Sequence, residues 1–90
     1  MFPKILDGAN VLYYTLKSDY GTICYSNGEI SDYIKFLAIC KYTNKKDEYY
    51  LFKCNEKYEV IVDSMYNSIK ECMESSKSSY GDKIVWNKVI

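Results

Sequence analysis

The side chains of this sequence that could do chemistry are four cysteines, twelve carboxylates and twelve basic residues, with no histidine among them. Every basic residue is a lysine. Four thiolates could in principle hold zinc in a tetrahedral site. Structural zinc ligands, however, come in pairs about two to four residues apart, whereas Cys24, Cys40, Cys54 and Cys72 each stand alone along the chain. A cysteine nucleophile needs a base to hold its thiolate, most often histidine, and no Cys-Lys pair is singled out in its place. Free cysteine packs as a small hydrophobe, and Cys40, Cys54 and Cys72 fall at positions expected to be apolar. The carboxylate pairs Asp47-Glu48, Glu56 with Glu59, and Glu71 with Glu74 look like solvated turn and helix-face charges. General acid and base work would need two groups in unlike environments across a cleft. No catalytic residue, cofactor-binding residue or metal ligand is therefore assigned, no cofactor is expected, and the chain is read as a binding protein rather than an enzyme.

Tyrosine is the unusual component, with eleven in ninety residues. Adjacent strand residues point to opposite sheet faces, so Tyr13-Tyr14 and Tyr49-Tyr50 must each send one ring away from a helix-covered side. Tyrosine offers large, rigid contact area at low entropic cost and is enriched in protein interfaces. Tyr13, Tyr14, Tyr49, Tyr50 and Tyr58 are accordingly the expected interaction surface, for a protein partner or for self-association as a homodimer. The other account, that small β-rich domains use tyrosine on half-buried sheet surfaces, stays open. The same rings near Lys17, Lys41, Lys53 and Lys57 could stack single-stranded bases. Against that stand a net charge of zero, the absence of arginine for bidentate phosphate or base recognition, and the lack of the glycine-aromatic pattern of RNA-recognition modules. Nucleic acid is the disfavoured partner.

The elements that position these residues follow from periodicity. A chain of this length buries only about 60 to 65% of its unfolded surface, which leaves room for one core and a single domain over residues 1–90. Asn10 to Leu16 reads as a strand, and Thr22 to Ser26 as one arm of a hairpin turning at Asn27-Gly28, a pair suited to a type I′ turn. That hairpin would put Ile23, Tyr25 and Ile30 on one face and Cys24 on the other. Ile30 to Leu37 has helical as well as strand spacing and is taken as a loop or short turn. The apolar run Phe36 to Tyr42 reads as a central strand, followed by strands at Tyr49 to Cys54 and Tyr58 to Val62, the last with Tyr58, Val60 and Val62 on one face. Ser68, with Glu71 three residues on, has the spacing of a helix cap. Behind it Ile69, Cys72, Met73, Ser76 and Tyr80 form an inward stripe, and Gly81 suits a left-handed stop. Ile84 to Ile90 could add an edge strand or lay Trp86 over the core. The expected fold is α+β: an antiparallel sheet of four to five strands with one C-terminal helix packed on one face.

The run Tyr50 to Ser64 followed by Ser68-Ile69-Lys70-Glu71-Cys72 resembles small uncharacterised bacterial proteins with the order strand, strand, Asp-Ser/Thr, helix. More distantly it is similar to the N-terminal domain of HicB-type antitoxins. The resemblance departs at Met65-Tyr66-Asn67, which reads as an insertion before the helix, and at the missing second domain for DNA binding. It implies an α+β fold and an antitoxin- or immunity-like accessory role, and it carries over no functional residue. With no apolar run of signal-peptide or membrane-span length, no membrane association is expected and the protein is read as cytoplasmic, its cysteines reduced.

Overall fold

In the computed structural model, which describes residues 1–89, the centre of the molecule is the apolar run identified above. Strand β5 (Phe36–Lys41) is buried along nearly its whole length, as expected of a strand covered on both faces. It lies between β2 (Ala9–Tyr14) and β6 (Tyr49–Cys54), and β6 in turn pairs with β7 (Val60–Tyr66). The far edge of β2 is capped by two very short strands, β1 (Ile5–Leu6) at one end and β8 (Asn87–Lys88) at the other. All pairings are antiparallel, and β3 (Thr22–Cys24) and β4 (Ile30–Tyr33) form a separate hairpin. Helix α1 (Ile69–Tyr80) and a 3-10 turn (Gly81–Lys83) precede β8. The α+β class, the antiparallel sheet and the C-terminal helix are as expected, but the main sheet has six strands rather than four or five, with the hairpin in addition.

The extra strands have local causes. β1 and β2 are joined by Asp7-Gly8, both with positive φ (48° and 79°), the conformation of a two-residue hairpin turn. At the other hairpin the Gly28 N–H donates to the Tyr25 carbonyl at 2.9 Å, and only Gly28 takes positive φ. The connection is therefore a three-residue loop ending in a left-handed glycine, not type I′. A bulge shifts the register so that Cys24 sits opposite Ile30. Ile30 thus shares a face with Cys24, contrary to the simple alternation. The segment expected to be a loop is strand β4 followed by Ile34, which is buried and tied by backbone bonds to Tyr20 and Gly21. Its helical spacing arises because the chain turns Ile34 into the core after the strand ends.

β7 also differs from expectation. It starts at Val60 rather than Tyr58, because Tyr58 takes a left-handed backbone (φ 63°), and it runs on through Met65 and Tyr66. A bulge between Val60 and Val62 places Ile61 as the extra residue. Val60 and Val62 therefore fall on opposite faces: Val60 lies opposite Cys54 and Val62 opposite Lys53.

The sheet has a core on each face. On the helix side Leu37, Ile39 and Leu51 pack with Cys72, Tyr20 and Ile34, rimmed by Tyr13, Ile69, Met73, Tyr80 and Trp86. On the other side Ala9, Val11, Phe36, Ala38, Cys40, Phe52 and Cys54 are buried under Phe2, Tyr14, Tyr42, Tyr50 and Tyr58. The small side chains of Ala9, Ala38, Cys40 and Cys54 let these rings lie down against the sheet. Phe2 stacks on Tyr14 at 4.7 Å and meets Phe36 and Tyr58 edge-on at 5.6 and 5.4 Å. The face without a helix is thus covered by aromatic side chains and the N-terminal segment. The tail does both things foreseen for it: Asn87–Lys88 pair with β2 and Trp86 packs beside the helix-side core, while Ile90 lies outside the described residues.

Candidate interaction surfaces

The five tyrosines chosen from sequence divide between the two faces. Tyr13 and Tyr49 lie on the helix side, and Tyr14, Tyr50 and Tyr58 on the other. All five are half-buried. Tyr14 and Tyr58 are engaged in ring contacts with Phe2 and Phe36, Tyr50 with Tyr42 and Phe52. Burial, with Glu48 accepting from its hydroxyl, raises the Tyr50 pKa above its ordinary value. The structure brings Tyr14 and Tyr58 together around Phe2 and leaves Tyr13 and Tyr49 on the opposite side of the sheet.

The most exposed rings are two that sequence reasoning did not select. Tyr25 is 60% exposed and Tyr33 51% exposed, both on the β3–β4 hairpin beside the exposed Ile30. The hairpin strands have only each other to pair with, so their outward residues find no second layer, and the Asn-Gly turn is the sequence signal that marks such an arm. Below it lies a cleft of ≈ 270 Å³ lined by Asp32, Tyr33, Lys35, Asn55, Lys57 and Glu59. Asn55 organises one wall: its Nδ2 donates to Asp32 Oδ2 (3.0 Å) and Glu59 Oε1 (2.7 Å), and its Oδ1 accepts from the Lys57 and Glu59 amides (2.9 and 3.0 Å). The hydrogen bond from Asn55 holds the Asp32 carboxyl below its ordinary pKa, and the Lys17 ammonium does the same for Glu56. Lys35 is drawn to Asp19 at 2.5 Å. These carboxylates are occupied by structural hydrogen bonds.

The cysteines divide as burial dictates. Cys40, Cys54 and Cys72 are fully buried, and Cys24 is exposed. Burial pushes the thiols up, Cys54 to about 12 and Cys72 to about 11, so they stay protonated and inert. Among the described residues no three His, Cys, Asp or Glu side chains gather as metal ligands. Lysines sit over tyrosine rings at three separate places, Lys35 on Tyr33, Lys41 on Tyr49 and Lys53 on Tyr80, at 5.2 to 5.6 Å. They do not form a row of rings beside clustered lysines.

The remaining surface is an edge. Opposite the edge of β2 capped by β1 and β8, β7 has no neighbour on its outer side among the described residues. Which of its amides face outward follows from the bonding alternation of antiparallel strands. Thr15 N–H donates to Leu37 C=O, so Leu37 and Ile39 bond toward β2, and Ala38 and Cys40 toward β6. Tyr49, Leu51 and Lys53 then bond toward β7, through their partners Tyr66, Ser64 and Val62. The Asn55 N–H, which donates to Glu59 C=O, continues the same alternation at the hairpin end. The N–H and C=O groups of Asp63 and Met65 therefore point out of the sheet. Their side chains lie on the helix-free face, where Met65 is 51% exposed, while Val62, Ser64 and Tyr66 lie on the helix side.

No helix among the described residues is long and apolar enough to cross a membrane. Compared with known proteins, the chain matches no family model, no curated sequence and no solved structure.

Proposed function

We propose that this chain is a protein-interaction module that binds by adding a partner strand to the outer edge of β7. The observation that carries the reading is the straight stretch Val62 to Tyr66, which presents the unpaired amides of Asp63 and Met65 beside an exposed methionine. A long apolar strand edge invites pairing, and proteins usually blunt such edges with bulges, charges or very short strands. Here the β2 edge is blunted by two-residue strands, whereas β7 keeps seven residues, with one bulge at its start and one charge, Asp63. Main-chain bonds in strand addition supply affinity, and side chains alternating along the edge supply selection. An antitoxin- or immunity-like accessory role is the biological form this reading takes.

The test uses proline, which removes a donor without disturbing β6 if placed where the N–H faces outward. Partners retained from a lysate of the source organism by the wild-type chain are expected to be lost with Met65→Pro and kept with Tyr25→Ser combined with Tyr33→Ser. The reverse pattern would move the interface to the β3–β4 arm and overturn the reading. Binding of a mixed oligonucleotide, followed by fluorescence anisotropy at low salt, is expected to be absent; salt-sensitive binding there would favour single-strand recognition instead.

A further inference from the structure

We propose that the strand added to β7 is the β7 of a second copy, antiparallel, on a twofold axis through Ser64. The inference rests on the reading of β7 as the docking edge and names the partner. In a symmetric antiparallel pair, opposed residues share a sheet face, so the axis must pass through a residue, and each choice of residue fixes every contact. An axis at Asp63 sets two aspartates face to face, which is destabilising, and runs the pairing into the bulge at Ile61. An axis at Val62 uses the bulged end and leaves Met65 and Tyr66 unopposed. The straight segment between the bulge and the end of the strand is Val62 to Tyr66, and its centre is Ser64.

The Ser64 axis satisfies each group on the edge. Asp63 of each protomer opposes Met65 of the other, and these are the residues whose amides point outward, so each pair exchanges two backbone bonds. Val62 opposes Tyr66 of the partner on the helix side, a β-branched and aromatic pairing of the stabilising kind. Ser64 meets its own copy at the axis as a non-bonded pair, the position where strands come closest, and it has the small side chain that such a position accepts. Helix α1 packs Cys72 with Leu37, Ile39 and Leu51 of β5 and β6, and meets β7 on its sheet face, where the Tyr66 and Ser75 hydroxyls bond at 2.7 Å. The two sheets would become one, with its long free edges removed. With only five residues paired on each protomer, the dimer sits at the low end of interface size, under about 1,200 Å², and is expected to be weak.

Sedimentation equilibrium of the full chain from about 10 μM to about 1 mM, the range in which weak association is read, is expected to show a monomer–dimer equilibrium. Met65→Pro and Ser64→Lys are each expected to abolish it with the circular dichroism spectrum unchanged. Register is read by oxidative cross-linking in a Cys24→Ser background, since the exposed Cys24 would otherwise react. Ser64→Cys is expected to give a disulfide-linked dimer, because opposed Cβ atoms at a non-bonded pair lie within disulfide reach. Asp63→Cys is expected to give none. A chain that stays monomeric to the top of the range, and whose Ser64→Cys variant forms no cross-link, overturns the second copy as partner. The β7 edge itself would still stand if Met65→Pro lost a different captured protein. A dimer that survives both Met65→Pro and Ser64→Lys, or that cross-links in the Asp63→Cys variant and not in Ser64→Cys, overturns the proposed axis.

Discussion

Asn55 is the residue on which the loop end of the molecule depends. It is only 6% exposed, yet all of its hydrogen-bonding capacity is used, joining the β6–β7 turn to Asp32 of the β3–β4 hairpin. Asn55→Ala leaves the Lys57 and Glu59 amides and two carboxylates without that partner and is expected to cost about 2 to 3 kcal/mol in urea denaturation. Three residues on, Tyr58 occupies the left-handed position that Gly28 fills in the other hairpin; in each loop the fourth residue donates back to the first, Tyr58 to Asn55 at 3.1 Å. A tyrosine tolerates that backbone here because its ring stacks on Phe36 at 4.7 Å and Phe2 closes over it. Strain and stacking can be separated by two variants. Both should destabilise by loss of the ring, but Tyr58→Gly should be the more stable of the two, by about 1 to 2 kcal/mol relative to Tyr58→Ala, because only glycine escapes the left-handed penalty. Equal stabilities would mean that the backbone relaxes once the ring is gone.

At the scale of elements, α1 is held at both ends. Ser68 Oγ accepts from the Glu71 amide at 3.1 Å, and the Gly81 N–H closes the helix onto Lys77 C=O with φ 75°. Its buried positions are Cys72 and Ser76, the latter satisfied by donating to the Cys72 carbonyl at 2.9 Å, while Ile69 and Met73 lie half-buried at the rim. Ser68→Ala is expected to cost about 0.5 to 2 kcal/mol through the lost cap. Ile69→Ala should cost about 1 to 2 kcal/mol, less than a fully buried isoleucine would. Lys70→Ala and Lys77→Ala, on the exposed face, should change stability by under about 0.5 kcal/mol, since the Lys77–Asp82 pair is exposed on both sides. Chemical denaturation checks the order; lysine variants as damaging as Ile69→Ala would place the wrong face of the helix against the sheet.

For the molecule as a whole, stability should fall at both ends of the pH scale for separate reasons. Asp19, Asp32 and Glu56 are held below their ordinary values of 3.8 and 4.5 by hydrogen bonds from Lys35, Asn55 and Lys17. A depressed carboxylate stabilises the fold above its unfolded pKa, and that contribution is lost as pH falls through the folded value. The acid limb should therefore begin near pH 4, and Asp32→Asn should flatten it. Buried Cys54 and Cys72 are shifted the other way, from 9.0 to about 12 and about 11. The fold keeps their protons where the unfolded chain releases them, so stability is full below pH 9 and declines as pH rises above it. Melting temperatures between pH 3 and 11 would show both limbs, and Cys54→Ala should reduce the alkaline slope; an unchanged slope would assign that limb to other groups.

Local patterns in the sequence determined the class of fold, the central strand at Phe36 to Lys41, the strand at Tyr49 to Cys54, the hairpin at Asn27-Gly28 and the capped helix with its solvent face. Each of these depends on interactions within a few residues, or on an apolar run that has nowhere to go but the core. β1 was not expected from the sequence, although its turn, Asp7-Gly8, is a hairpin pair of the same kind as Asn27-Gly28. What alternation could not supply was the count of residues on each strand. The bulge at Leu12 arises from pairing between distant segments and those at Ser31 and Ile61 from pairing within hairpins, and each exchanges the faces of what lies beyond it on its strand. The five tyrosines lie on two faces, as alternation alone requires of the adjacent pairs Tyr13-Tyr14 and Tyr49-Tyr50, whereas which rings stay exposed, Tyr25 and Tyr33, was decided by packing. The free edge of β7 likewise exists only because β1 and β8, from opposite ends of the chain, both settle on β2, leaving the other side of the sheet unpaired.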